Sequence, residues 1–383
     1  MAKNIYKIKD IGKVVTGKTP PTSQMDLYGD ICPFITPSDI PTFEERYLSK
    51  IERGLSEKGL RRMHSILLPK DSISLVCIGS TIGKICLTKE KCITNQQLNS
   101  IIVNEDKFNP LYIYYAIRNY VPEIKVITGG TGAGKAILNK TSFEELEIEL
   151  HNDKNVQDKI ARILSNYDDL IENNNKRIKI LEEMAQKIYK EWFVDFKYPE
   201  HETVTFKDTE LGKLVMPKKG KNITKATIKE GCVPVVAAGL EPAYYHNVAN
   251  TVAPVITVSA SGANAGYVKL YYEDIWASDC SYIDCQMTSY IYYFYSYLKY
   301  NQIKITNLQK GAAQPHVYPQ DLATLKIMDI DESIIKQFNL IVTPLFEEIK
   351  NIISRNKVLK QARDLLLPRL ISGEIDVESM EIA

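Results

Sequence analysis

Apolar residues recur in alternating steps of four and three along two stretches of the chain, residues 156–196 and 334–371. The first seam runs through Ile160, Leu164, Tyr167, Ile171, Asn174, Ile178, Leu181, Ala185, Ile188 and Trp192. The second runs through Phe338, Val342, Leu345, Ile349, Ile352, Asn356, Leu359, Arg363, Leu366 and Leu370. A seam every 3.5 residues predicts two long α-helices, about 60 Å each at roughly 1.5 Å per residue, that pack along their whole length.

Each seam contains one asparagine, Asn174 in the first and Asn356 in the second, which the pattern places at the same point of the repeat. A buried amide is costly unless it bonds to another polar group, and one buried asparagine pair fixes the register of a coiled coil. We therefore predict that these two residues contact each other in an antiparallel intramolecular coiled coil with pseudo-two-fold symmetry. The alternative is two separate amphipathic helices, each packed on its own domain.

The blocks that precede the two helices share short sequences in the same order, which indicates a tandem duplication. Tyr-Ile-Tyr-Tyr at residues 112–115 recurs at residues 290–293, 178 positions further along. Ile-Gly-Lys-Val-Val at 11–15 corresponds to Leu-Gly-Lys-Leu-Val at 211–215. The predicted organisation is a domain at 1–152, a helix at 153–196, a domain at 197–331, a helix at 332–373 and a tail at 374–383.

Both blocks have the pattern of short strands with one or two helices, which is typical of an α+β fold. Strands are predicted over 73–78, 85–88 and 100–103 in the first block and over 233–237, 255–259, 267–271 and 281–283 in the second. The matching helices are predicted over 110–120 and 287–299. Asn109 is the expected N-cap of the first, because Pro110 suits the first turn that follows.

Composition limits the class of protein. At 383 residues, with 44% hydrophobic and 25% charged residues, the chain is long enough for two cores of ordinary domain size. Neither its start nor any apolar run fits a signal peptide or a membrane span, so a cytoplasmic protein is expected. The seven cysteines include no Cys-x-x-Cys pair and are predicted to be free, mostly buried thiols. The net charge of only +1 does not itself indicate a nucleic-acid binder, so a basic surface would have to be local or supplied by partner subunits.

Two motifs suggest enzymes but depart from the pattern that their chemistry requires. Residues 129–136, Gly-Gly-Thr-Gly-Ala-Gly-Lys-Ala, fit a nucleotide-binding P-loop except that Ala136 replaces the Ser or Thr that holds Mg²⁺. Residues 109–112, Asn-Pro-Leu-Tyr, resemble the Asn-Pro-Pro-Tyr loop of adenine methyltransferases, but Leu111 replaces the second proline. An enzyme that uses a nucleoside triphosphate or S-adenosylmethionine therefore stays an alternative, and no catalytic or metal-binding residue is predicted.

The ends of the two helices resemble a known family. Residues 365–375, Leu-Leu-Leu-Pro-Arg-Leu-Ile-Ser-Gly-Glu-Ile, and residues 186–193, Gln-Lys-Ile-Tyr-Lys-Glu-Trp-Phe, look like those of the specificity subunit of Type I restriction-modification systems. The resemblance implies two α/β target-recognition domains separated by spacer helices, binding to double-stranded DNA, and docking of methyltransferase subunits, two of which are expected. It also implies that restriction subunits can join, and that S-adenosylmethionine, ATP and Mg²⁺ belong to those partners and none to this chain.

Two DNA readers on one helix pair could lie on the same face of a duplex, because DNA repeats every ~34 Å. Phosphate and base contacts need basic, hydroxyl, amide or aromatic groups on turns. The predicted contacts of the first block are Lys18, Thr19, Arg61, Arg62, His64, Gly132 and Lys135. Those of the second block are Lys218, Lys219, Lys221, Asn222, Tyr244, Tyr245, His246, Asn264, Gln314 and His316.

The second block lacks one common DNA-reading group. No arginine occurs between Arg177 and Arg355, so this block cannot make the bidentate arginine–guanine contact. We therefore expect its half-site to be read through adenine and thymine edges or through lysine. A protein-binding scaffold built from duplicated modules is the remaining rival.

Overall fold

The computed structural model describes residues 2–40, 45–129, 137–198, 207–311, 315–378 and 380. Its contacts divide the chain into two compact units: Met1–Asn174 with Arg355–Ala383, called unit 1 here, and Asn175–Ser354, called unit 2. Each unit therefore combines one duplicated block with one half of each long helix. This division differs from the predicted scheme, in which the helices are spacers separate from the domains. The reason is that each half of a helix buries its seam in the core of one unit.

Unit 1 has three sheets among its described residues. The strands are β1 (Lys3–Lys7), β2 (Gly12–Thr16), β3 (Tyr28–Ile35), β4 (Gly54–Leu55), β5 (Ile73–Val76), β6 (Ile85–Leu87), β7 (Ile93–Thr94), β8 (Leu98–Val103) and β9 (Glu147–His151). An antiparallel sheet has the order β2-β8-β5-β6. In a second sheet β3 lies between β4 and the parallel strand β7, and β1 pairs with β9.

The helices of unit 1 are α1 (Ile8–Ile11), α2 (Glu57–Met63), α3 (Pro110–Gly129), α4 (Lys140–Glu144) and the first half of α5 (Lys154–Phe193). α3 begins as predicted, because Asn109 Oδ1 accepts a hydrogen bond from the Tyr112 amide at 3.0 Å. It ends later than predicted, since Val121 and Ile124 continue its buried face past Pro122.

Unit 2 has its own three sheets in the described ranges, and five helices begin there in addition to the second half of α5. The strands are β10 (Lys207–Glu210), β11 (Lys218–Lys219), β12 (Val233–Val236), β13 (Tyr244–His246), β14 (Val255–Ser259), β15 (Val268–Tyr271), β16 (Trp276–Ala277), β17 (Cys280–Asp284) and β18 (Lys326–Asp329). The helices that begin in this unit are α6 (Leu211–Leu214), α7 (Ile291–Tyr300), α8 (Gln302–Thr306), α9 (Pro319–Ala323) and α10 (Glu332–Ser372).

The topology of unit 2 repeats that of unit 1, which confirms the predicted tandem domains. The sheet order β11-β17-β14-β15 corresponds to β2-β8-β5-β6. The parallel pair of β12 and β16 corresponds to β3 and β7, and the pair of β10 and β18 to β1 and β9. β14 has its predicted bounds, and the other predicted strands differ by one or two residues at an end.

α5 and α10 run antiparallel within unit 1, as predicted. Ile160 near the start of α5 and Leu370 near the end of α10 lie in one core. Asn174 Nδ2 donates a hydrogen bond to Asn356 Oδ1 at 2.8 Å, which confirms the predicted pair. The two asparagines are not at the same point of the duplication, however, because at an offset of 178 residues Asn174 aligns with Ile352. The antiparallel direction, not the repeat, brings them together.

The same helices are also antiparallel in unit 2. The Arg177 guanidinium pairs with the Glu348 carboxylate at 2.9 Å, and the Phe193 and Phe338 rings meet edge to face at 5.1 Å. Every predicted seam position on either helix is buried or half-buried. None of the helices in the described part of the chain combines the length and the apolar content that crossing a bilayer requires.

Candidate nucleic-acid interface

In unit 1, the chain leaves the end of β2 through a Gly-Lys pair, Gly17 and Lys18. The Gly17 amide donates to the Leu98 carbonyl at 3.1 Å, and the Lys18 amide donates to the Thr94 carbonyl at 2.9 Å. A Cβ at residue 17 would lie 2.1 Å from the Asn95 carbonyl oxygen, so the close approach requires glycine. The Lys18 side chain is exposed beside this turn, where an ammonium group can meet a phosphate.

The turn between β7 and β8, residues 95–97, carries three side-chain amides: Asn95 is buried, Gln96 is exposed and Gln97 is half-buried. Asn95 Oδ1 accepts from the Gln97 amide N–H at 3.0 Å, and Asn95 Nδ2 donates to Gln97 Oε1 at 3.1 Å. Thr19 Oγ1 donates to Gln96 Oε1 at 2.5 Å. Carboxamides match the donor and acceptor of an adenine edge. These amides are not among the contacts predicted from the sequence, although the run Thr-Asn-Gln-Gln between two apolar strands was an available signal.

The other predicted basic residues of unit 1 lie on and just after α2. Arg61, Arg62 and His64 are all exposed. The Arg62 guanidinium donates to Gln24 Oε1 at 2.7 Å, and Gln24 belongs to the loop that Lys18 begins. Arg61 forms an exposed ion pair with Glu57 of the same helix. Because exposed ion pairs add little stability, replacing this one with a phosphate contact costs little free energy. The loop from Lys18 to Gln24 therefore connects the Gly-Lys turn with the basic residues on and after α2.

Unit 2 holds a Gly-Lys pair, Gly220 and Lys221, in the same way. The Gly220 amide donates to the Cys280 carbonyl at 2.8 Å, and the Lys221 amide donates to the Ala277 carbonyl at 2.9 Å. A Cβ at residue 220 would lie 2.2 Å from the Ser278 carbonyl oxygen. The predicted basic loop is exposed throughout, at Lys218, Lys219, Lys221 and Asn222.

Two of the three predicted aromatic residues on β13 face solvent. Tyr244 and Tyr245 are exposed, and the Lys225 ammonium lies 5.6 Å from the centre of the Tyr244 ring. His246 is buried: its Nδ1 accepts from the Lys229 amide at 3.0 Å, and its ring meets Trp276 edge to face at 5.2 Å. A base contact from His246 does not fit this placement, and we therefore remove it from the contact set.

The remaining predicted residues of unit 2 are half-buried. Asn264 Nδ2 donates to the Ala238 carbonyl at 3.3 Å. The His316 ring lies nearly parallel to that of Tyr318, with the ring centres 5.7 Å apart. The predicted contacts Gly132, Lys135 and Gln314 lie outside the described residues.

The described cysteines are free, and five of the seven are buried, as predicted. Burial raises the pKa of Cys77, Cys86 and Cys280 to about 12, so these thiols stay neutral. Within the ranges that the structure describes, no three His, Cys, Asp or Glu side chains come together in a way that could hold a metal ion.

Comparison with known proteins agrees with the predicted resemblance. Residues 3–183 match the family described as the Type I restriction modification DNA specificity domain. The MjaIX specificity subunit of a Type I restriction enzyme from Methanocaldococcus jannaschii is 29% identical over 98% of this chain and 94% of its own. A putative type I specificity subunit from Mycoplasma genitalium is 25% identical over 79% of this chain and 81% of its own.

A solved structure shares the fold. The crystal structure of the S subunit of a Type I restriction-modification system from M. genitalium aligns with a TM-score of 0.58 at 19% identity, over 97% of this chain and 96% of that one. The tandem domains and the long helices are thus common to both proteins. The chain is therefore similar, over residues 3–183, to the Type I restriction modification DNA specificity domain and, over nearly its whole length, to specificity subunits of Type I restriction enzymes.

Proposed function

We propose that this chain reads a split site in duplex DNA, with unit 1 on one half-site and unit 2 on the other. The observation that carries the proposal is the Gly-Lys pair that each unit holds at the same place in its fold. The Lys18 amide donates to the Thr94 carbonyl, and the Lys221 amide donates to the Ala277 carbonyl, both at 2.9 Å. Exposed lysines on fixed turns contact phosphates and set the register in which neighbouring side chains meet base edges.

The two half-sites differ in the groups that read them. Unit 1 offers exposed arginines, Arg61 and Arg62, which can bind guanine in the bidentate geometry. Unit 2 contains no arginine except Arg177 on its helix, so lysine, amide and tyrosine side chains must serve. We therefore propose that the second half-site is read mainly through adenine and thymine edges or through lysine. A second half-site dominated by guanine on both strands would contradict this.

We further propose that two methyltransferase subunits dock on the long helices, one for each unit. Ile180 of α5 is 56% exposed, and Val358 of α10, which is 178 residues further along, is 63% exposed. Exposed apolar residues at equivalent points of two helices suit a repeated interface, because burying the exposed part of each gains on the order of 1 kcal/mol. Ile180→Glu and Val358→Glu should each remove one methyltransferase from the complex, as measured by its mass. Loss of both subunits from either change would contradict one site per unit.

In this proposal the chain itself is not catalytic. Methyl transfer, and any DNA cleavage by restriction subunits, belong to the partners, which bring S-adenosylmethionine, ATP and Mg²⁺. Such a complex works on chromosomal DNA, and we therefore place it in the cytoplasm.

The deciding experiment maps methylated adenines across the genome of a host that expresses this chain with its partner methyltransferase. The control host lacks only this chain. A split motif that disappears with the chain supports the proposal and gives both half-sites. An unchanged pattern would favour the scaffold alternative, and in that case the complex should also lack salt-dependent binding to duplex DNA.

A further inference from the structure

One backbone position is equivalent in the two units and carries a different polar side chain in each. In unit 1 the Gln97 carbonyl accepts a hydrogen bond from the Cys77 amide at 2.8 Å. In unit 2 the Asp279 carbonyl accepts one from the Ala260 amide at 3.2 Å. The Cys77 carbonyl in turn accepts a hydrogen bond from the Leu138 amide at 2.8 Å, and the Ala260 carbonyl accepts one from the Val317 amide at 3.0 Å. Gln97 and Asp279 therefore occupy the same place in the duplicated fold.

This place adjoins the Gly-Lys pair in both units. Leu98, whose carbonyl holds Gly17, directly follows Gln97, and Cys280, whose carbonyl holds Gly220, directly follows Asp279. A phosphate bound by the lysine would fix the duplex relative to these two side chains. Side chains beside a phosphate anchor are the ones positioned to meet base edges.

Both side chains are half-buried and held by a neighbour. Gln97 Oε1 accepts from Asn95 Nδ2 at 3.1 Å, and Asp279 Oδ2 accepts a hydrogen bond from the Ser261 hydroxyl. Such support restricts the rotamers of the reading group and lowers the entropy that ordering it would cost on binding. The Gln97 amide offers a donor together with an acceptor, which matches adenine N7 and N6. The Asp279 carboxylate only accepts, which matches the cytosine 4-amino group.

We propose that Gln97 and Asp279 are specificity-determining residues at equivalent positions, with Gln97 reading an adenine in the first half-site and Asp279 reading a cytosine in the second. The inference rests on the proposed function and extends it from half-sites to single bases. It adds one G·C pair to a second half-site that is otherwise read through adenine, thymine or lysine contacts.

The test exchanges the two chemistries with almost no change of shape. Gln97→Glu turns the amide into a carboxylate, and Asp279→Asn does the reverse. Asn155→Asp, at the exposed start of α5, and Asp274→Asn, in the loop before β16, are matched controls. Each variant is expressed with the partner methyltransferase, and methylated adenines are mapped across the host genome.

Gln97→Glu should change one base of the first half-site only, from adenine toward cytosine. Asp279→Asn should change one base of the second half-site only, from cytosine toward adenine. Each preference should shift by about tenfold or more, and the controls should leave the motif unchanged. A motif that depends on the chain but is unaltered by both variants would overturn this inference while the proposed function stands. Methylation that does not depend on the chain at all would instead overturn the proposed function.

If a variant abolishes methylation, direct DNA binding tests its base preference instead. The assembled complex is titrated with four duplexes that differ only at the base pair in question. A changed order of affinities supports the assignment of that residue, and an unchanged order overturns it.

Discussion

The paired helices contain two polar layers among their apolar contacts in unit 1, where unit 2 has only apolar residues at the equivalent positions, although both units come from one duplication. In unit 1 the Arg363 guanidinium forms a buried ion pair with Asp168, and Asn174 bonds to Asn356. At an offset of 178 residues the corresponding side chains of unit 2 are Ala185, Phe346, Ile352 and Ile178. The same antiparallel geometry thus tolerates either kind of layer. Ionic layers often add little stability over apolar ones, whereas a polar layer restricts register and orientation.

The contact between each domain and the long helices is likewise polar in unit 1 and aromatic in unit 2. In unit 1, the Tyr115 hydroxyl on α3 donates a hydrogen bond to the Asp168 carboxylate at 2.6 Å. Burial and the neighbouring Asp168 both raise the pKa of Tyr115. In unit 2, Tyr292 on α7 stacks on Phe346 of α10, with the ring centres 4.5 Å apart. Hydrogen bonds and ion pairs depend on direction more than ring contacts do. Unit 1 is therefore the domain whose placement on the helices is more strictly specified.

The largest effect is expected from Asp168→Ala. It leaves the buried Arg363 charge with only its second partner, the half-exposed Asp364, at 2.9 Å. The free energy of unfolding of unit 1 should fall by about 3 kcal/mol, as measured from hydrogen exchange of its amides. The triple variant Asp168→Phe, Arg363→Ala and Tyr115→Phe introduces the Phe346 and Ala185 side chains of unit 2, removes the phenol that would lose its partner, and should recover most of that loss.

Glu123→Ala, which removes an exposed carboxylate of α3 in unit 1, is the control and should change stability by less than about 0.5 kcal/mol. If the triple variant were as unstable as Asp168→Ala, the two layers would not be interchangeable, and the ion pair would be essential to this helix pair.

A smaller effect is expected from Asn174→Ile. It removes the hydrogen bond to the buried Asn356 amide and should cost unit 1 about 1 kcal/mol. The double variant Asn174→Ile and Asn356→Ile copies Ile352 and Ile178 of unit 2. Its free energy of unfolding, measured in a denaturant titration, should equal or exceed that of the parent chain. A double variant that is less stable than the single one would show that the asparagine pair adds net stability in addition to fixing register.

The sequence predicted those features that depend on local periodicity. The seam positions, the strand over Val255–Ser259 and the Asn109 cap all follow from patterns within a few residues. The polar strands β1 and β10 were missed, because Lys-Asn-Ile-Tyr-Lys and Lys-Asp-Thr-Glu have little apolar pattern and form only by pairing with distant β9 and β18. The equivalence of Gln97 and Asp279 was missed for the same reason, since it depends on backbone bonds to strands far away along the chain.

A pH-dependent difference between the units is expected from His151. This residue is buried beside the last turn of α10, with Nε2 3.3 Å from the Leu370 carbonyl, and burial lowers its pKa below the usual 6.5. The unfolded chain therefore takes up the proton first. The stabilisation is fully present above pH 6.5 and is lost as the pH falls toward the lower pKa of the folded state.

Leu146 and Leu325 accept equivalent backbone bonds, from the Ile8 and Leu211 amides, and lie 179 residues apart. By this offset unit 2 has the buried Ile330 where unit 1 has His151, so His151→Ile is the matched variant. Hydrogen exchange of unit 1, corrected for the intrinsic pH dependence, should show a loss of stability below pH 6.5 in the parent chain and a flatter profile in the variant. Identical profiles would mean that His151 has the same pKa in the folded and unfolded states and does not distinguish the units.

The smallest effect should be equal in the two units. Lys18→Ala and Lys221→Ala each remove one exposed ammonium from equivalent turns, so each should lower the slope of log affinity against log salt by about one for the complex bound to its own site. Neither change should alter the methylated motif, because phosphate contacts carry no direct sequence information. Lys326→Ala, on the exposed pair of β10 and β18, is the control and should leave the slope unchanged. A slope that responds to only one of the two lysines would mean that the Gly-Lys turn kept its fold in both units but its role in DNA binding in only one.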